Sequence, residues 1–111
     1  MVVLLFLSAC GPETIYVRPS LDTSKRHVIN GRALLDQGKI QPALREFEYA
    51  HELDPQNVSA LVGMAVTMGH QGKFDQGLEI LEKAEAICTT AEDRTLVQEG
   101  RARLEELRTQ K

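Results

Sequence analysis

Three histidines and two cysteines are the side chains of this 111-residue sequence best suited to chemistry. His27, His51 and His70 are widely separated, and no cysteine or carboxylate joins them at ligand spacing. Metal sites recruit such residues in close sequence pairs, so no metal site is expected, and His27 is expected to pack against a neighbouring helix. No glycine-rich phosphate loop occurs, and no serine or cysteine stands in a nucleophile constellation, so no catalytic residue is assigned and the chain does not read as an enzyme. Cys88 reads as a half-buried thiol at a helix end. Cys10 differs because of what precedes it: the apolar run Val2 to Leu7, VVLLFL, then the small residues Ser8 and Ala9.

A bilayer-spanning helix needs roughly 20 apolar residues, so this run cannot cross a membrane alone. It can be the tail of a signal sequence, and Leu7-Ser8-Ala9-Cys10 resembles the lipobox of bacterial lipoproteins. The resemblance implies that residues 1–9 are a signal peptide and that Cys10 receives a covalent diacylglycerol and an N-acyl lipid as the first mature residue. No Lys or Arg precedes the run, and it is shorter than the usual 7–15 residues, so translation is expected to begin upstream of Met1. Gly11 in place of Asp resembles the outer-membrane-sorted class, which implies the periplasmic side of that membrane in a Gram-negative host. The competing reading is an apolar segment packed on the domain, with Cys10 a plain thiol. No other cofactor is expected.

From Gly11 to Ser24 the chain reads GPETIYVRPSLDTS. Pro12 and Pro19 favour extended backbone around them, so residues 10–23 are expected to form a flexible tether. Such a stretch reaches at most ~45 Å, enough to hold a small domain clear of headgroups.

Length and charge bound the remainder. One hundred and eleven residues suit a single small domain. A net charge of −3, only 5% aromatics and no basic run leave nothing with which to hold a phosphate backbone, so nucleic acid is excluded as a partner.

The architecture comes from a repeat. At an offset of 34 residues Gly38 aligns with Gly72, Phe47 with Leu81, Ala50 with Ala84, Leu34 with Met68, Ile40 with Phe74 and Leu53 with Ile87. That period, with Gly31, Gly38, Ala43, Phe47, Ala50 and Leu53-Asp54-Pro55 in order, resembles the tetratricopeptide repeat (TPR). The resemblance implies an all-α solenoid of about five helices. It would comprise TPR 1 at 24–57, TPR 2 at 58–90 and a capping helix at 91–111.

The residues support helix pairs on their own account. Pro42 suits a first helical position and Asp54-Pro55 a stop. Between them Leu44, Phe47, Ala50 and His51 are expected to share a buried face. Asn57 is an N-cap for a helix over Val58 to Gln71, which Gly72 stops. The next helix, Phe74 to Cys88, should turn Leu78, Leu81, Ala84 and Ile87 inward. Thr89 and Glu92 form a capping box for the last, Ala91 to Arg108, whose apolar stripe reads Leu96, Gly100, Leu104 and Leu107. Gly31 and Ala43 are expected to face one another inside the first pair. Ala65 and Gly77 take those places in the second, which mid-helix Gly77 should soften by about 1 kcal/mol.

By resemblance, function belongs on the concave surface made by the first helix of each pair. Lys25, Val28, Ile29, Arg32, Leu35 and Asp36, then Ser59, Val62, Gly63, Val66 and His70, are the expected groove residues. They would bind an apolar or amphipathic protein segment, with Arg32 meeting a carboxylate. The alternative is that several of these valines pack helix on helix. The family keeps company with envelope assembly, as in the TPR lipoproteins of Flp/Tad and type IV pilus systems, so a pilus or secretion scaffold is the first expectation. An adaptor of a cell-wall enzyme is the second. A cytoplasmic chaperone-like protein is the third, should the lipobox be false. Self-association through an end face is a further expectation, because a two-repeat array is minimal.

Overall fold

The computed structural model describes residues 19–110, and Cys10, the apolar run and most of the tether lie outside them. Five helices follow in order: α1 Pro19–Asp36, α2 Ile40–Leu53, α3 Val58–His70, α4 Phe74–Ala86 and α5 Ala91–Thr109. Helix α1 begins inside the expected tether. Proline at a first helical position loses no hydrogen bond, so Pro19 opens the helix instead of extending the linker.

The turns repeat as the helices do. Gly38 and Gly72 carry φ of 78° and 82°, a left-handed conformation that glycine adopts without strain. In each turn the glycine N–H and the next N–H fold back onto the preceding helix. Gly38 donates to Leu35 and Lys39 to Leu34, as Gly72 does to Gly69 and Lys73 to Met68, all at 2.9–3.0 Å. These are paired Schellman closures one repeat apart.

Each repeat has its own core. In the first, Val28, Ala43, Phe47 and Ala50 pack with Ala60 of α3; in the second, Leu61, Ala65, Ile80, Leu81 and Ala84 pack with Val97 and Leu104 of α5. Three expected core positions, Leu44, Leu78 and Ile87, are only half-buried, as is His51. The fully buried stripes run instead through Ala43, Phe47 and Ala50, and through Gly77, Ile80, Leu81 and Ala84. Small residues lie closest to the partner helix, and the larger ones flank the seam.

Gly31 faces Phe47 rather than Ala43. A Cβ at Gly31 would stand 2.8 Å from Phe47 Cε1, and one at Gly63 would also collide with that ring. The Phe47 ring therefore sits in a slot between α1 and α3 that two glycines open. In the second pair the close approach is backbone to side chain: a Cβ on Gly77 would lie 2.9 Å from the Ala65 carbonyl oxygen.

A buried polar relay ties the first three helices together. Ser24, wholly buried, donates from Oγ to the Ala50 carbonyl at 2.8 Å, and Asn57 Nδ2 donates to Ser24 Oγ at 2.8 Å. Asn57 Oδ1 in turn accepts the Ala60 N–H, capping α3 as expected. Asn57→Ala should cost about 1–3 kcal/mol, since it removes a cap and strips Ser24 of a partner. Asn57→Asp, which keeps the cap acceptor and loses the donor, should fall between. Urea midpoints of the three proteins check this order.

Helix α5 is capped one residue later than expected. Thr90, not Thr89, accepts the Asp93 N–H at 3.0 Å, and Asp93 reaches back to the Thr89 N–H. The helix still begins at Ala91, and Gly100, Leu104 and Leu107 are buried as expected, but Val97 rather than half-buried Leu96 completes the stripe. Gly100 backs onto Val62 and Leu81, and Leu104 fills a hollow at Gly69 and Gly77. Helix α5 thus runs parallel to α3, in the place of the first helix of a third repeat. One ion pair, Arg101–Glu85 at 2.7 Å, also joins α5 to α4. Its partly exposed groups are worth at most about 1 kcal/mol, so apolar contact carries the docking.

Candidate functional site

Among the described residues a half-open cleft of ≈ 510 Å³ lies between α1, the start of α3 and the start of α5; a shallower hollow of ≈ 580 Å³ on α5 is lined by Glu99, Arg103 and Glu106 and holds none of the expected groove residues. Helix α1 supplies Lys25, Val28, Ile29 and Arg32 along one face, at helical spacings of three and four. A second wall is the turn before α3 and the first residues of that helix: Asp54, Gln56, Asn57, Val58 and Ser59. Asp93, from the start of α5, closes one side. The Asn57 relay fixes this wall against α1, so the helices that form the cleft are locked at its base.

Five of the eleven expected groove residues meet here: Lys25, Val28, Ile29, Arg32 and Ser59. Val28 is 5% exposed, a core residue whose edge reaches the cleft floor, whereas Ile29 is 65% exposed. Lys25 and Arg32 form no ion pair among the described residues.

The other six do not join them. Leu35 packs on the core of the first repeat. Val62 lies against Gly100 of α5, Val66 is half-buried on α3 outside the cleft, and His70 is half-buried within the field of Arg103 on α5. Gly63 faces Phe47, and Asp36 is exposed on α1 outside the cleft lining. The capping helix covers the part of the concave surface that α3 was expected to present. A Val62→Glu change would therefore put a carboxylate under α5 rather than block an open groove. Asp54, Gln56, Asn57, Val58 and Asp93 were not expected in the site. The turn residues adjoin Ser59 in sequence, but nothing local brings Asp93 across from the cap.

The three histidines are apart here too. His27 Nδ1 donates to Glu46 Oε1 at 2.8 Å and its ring lies 5.6 Å from that of Tyr49, so it packs between α1 and α2. Among the described residues no group of His, Cys, Asp and Glu could hold a metal ion. Cys88 donates its S–H to the Ala84 carbonyl. Burial, and then the charge of Asp93, push its pKa up, which keeps it a poorly nucleophilic thiol.

Burial, and then the nearby Arg103 charge, hold His70 below its ordinary pKa of 6.5. The unfolded chain then binds the proton more readily than the folded one. Stability is full above about 6.5 and falls as pH drops from there through the lower folded value. His70→Gln should flatten this part of the profile, and the difference between the two proteins' denaturation midpoints across that window measures it.

Helix pairs that repeat every 34 residues, closed by a fifth helix and presenting a cleft, define an α-solenoid. The TPR family model matches residues 34–104, well over half of the chain. The chain belongs to the tetratricopeptide repeat family, whose domains are typically non-catalytic scaffolds that bind protein partners. No characterised protein and no solved structure shows significant similarity to it.

Proposed function

We propose that the protein is a lipid-anchored adaptor that binds a segment of a protein partner in the α1–α3 cleft and assists assembly of an envelope machine such as a pilus or secretion system. The observation that carries the binding role is the cleft itself, where exposed Ile29 stands between the unpaired cations Lys25 and Arg32. The anchor rests on the likeness of Leu7-Ser8-Ala9-Cys10 to a lipobox, with diacylglycerol on Cys10, and the location at the periplasmic side of the outer membrane on Gly11 and a Gram-negative host. Among the described residues no helix is long and apolar enough to cross a membrane, so in this reading the lipid is what holds these helices at the bilayer.

In-cell crosslinking of the tagged protein, with mass spectrometry of its N-terminal peptide and of copurifying proteins, tests both halves. A diacylglyceryl Cys10 with a secretin or pilus subunit is the expected result. Unmodified Cys10 with cytosolic partners would overturn anchor and location together. An Ile29→Asp/Arg32→Glu variant that captures the same proteins at the same yield would remove the cleft from the binding role.

A further inference from the structure

The charges around the cleft are sorted by element, and this sorting reaches beyond the existence of a groove. Both cations, Lys25 and Arg32, stand on α1, and both carboxylates, Asp54 and Asp93, stand on the turn before α3 and the start of α5. Val28 and Ile29 lie between the cations along α1. The carboxylates have local tasks: Asp54 accepts the Gln56 N–H and Asp93 the Thr89 N–H. Neither forms an ion pair with Lys25 or Arg32, so both signs of charge are available to a third body.

An all-acidic ligand would meet Asp54 and Asp93, and an all-basic one Lys25 and Arg32. Like charges brought together in a partly enclosed cleft oppose binding, which makes the arrangement selective as well as attractive. From this sorting we infer that the partner segment has mixed charge: an aliphatic side chain on Val28 and Ile29, an acidic residue toward Lys25 and Arg32, and a basic residue toward Asp54 and Asp93. The inference rests on the cleft being the protein-binding site and specifies the chemistry of what it takes.

Four synthetic nonapeptides with the same central leucine test it: one with Glu and Lys on opposite sides, one with acidic flanks only, one with basic flanks only and one neutral. Binding is followed by amide chemical shifts of the full chain at low salt. The mixed peptide should bind about tenfold more tightly than the other three, a difference of ~1.4 kcal/mol shared between its two charge contacts. Lys25→Glu/Arg32→Glu should abolish that preference. Asp93→Asn, which retains an acceptor for the Thr89 N–H, should bring the acidic peptide closer to the mixed one.

A neutral peptide that binds the cleft as well as the mixed one would overturn the charge pattern and leave the groove in place. If no peptide moves the resonances of Ile29, Arg32 and Ser59, the groove and the inference fail together. Cleft resonances that shift on dilution of the protein alone would seat a second copy there and overturn the assignment.

Discussion

Replacing Phe47 with alanine should cost about 3–5 kcal/mol, a large fraction of the 5–15 kcal/mol that holds a typical domain folded. The ring is wholly buried, and its flanks are Gly31 and Gly63, which cannot collapse into the space it leaves. The repeat itself supplies a more searching test. One period on, Leu81 stands in place of Phe47, Ala65 in place of Gly31 and Val97 in place of Gly63, all wholly or almost wholly buried. The second copy has a smaller centre and larger walls, which conserves the volume that packing requires. Gly31→Ala alone should destabilise by about 1–3 kcal/mol, because the added methyl meets a ring backed by Gly63. Combined with Phe47→Leu, the same alanine should cost much less, with a coupling of about 0.5–3 kcal/mol in a double-mutant cycle. Strict additivity in urea denaturation would show that the glycines are not there to admit the ring.

Leu104→Ala should be the second severe change, at about 2–5 kcal/mol. Leu104 is 2% exposed and enters a hollow that α3 and α4 open together: a Cβ at Gly69 would come within 2.5 Å of it, and one at Gly77 within 3.1 Å. Repeats bury their faces only against neighbours, so weakening this contact loosens α5 and uncovers Val62 and Leu81. Amide exchange should quicken along α5 first and in α3 and α4 with it, while α1 and α2 change less. Gly69→Ala placed on Leu104→Ala should recover part of the loss by filling the hollow. Removing the Arg101–Glu85 pair should cost less than about 1 kcal/mol, so a larger loss there would contradict apolar docking of the cap.

Local pattern carried the reading a long way. The 34-residue offset, the glycine stops at Gly38 and Gly72 and the Asn57 cap each follow from steric or hydrogen-bonding preferences of a few neighbouring residues, and each is found in the structure. Errors of one to a few residues arose where two candidates competed locally. Thr89 and Thr90 can both cap α5, and Thr90 does so; Leu96 and Val97 are both apolar neighbours, and Val97 is the one that α3 and α4 bury. Likewise Pro19 suits a linker and a first helical turn equally, and here it starts α1.

The site was harder to foresee for a different reason. Periodicity tells which face of α3 is apolar, but not what covers it. Val28 and Val62 are equivalent one period apart, yet Val28 reaches an open cleft while Val62 lies under Gly100. The amino-acid sequence alone was sufficient for the helices, their caps and the order of the repeats, because those depend on interactions within a few residues. Only the tertiary structure decided how much of the concave surface stays open and that Asp93 closes it. Both depend on where α5 packs, and that is fixed by Leu104 meeting glycines 27 and 35 residues away in the chain.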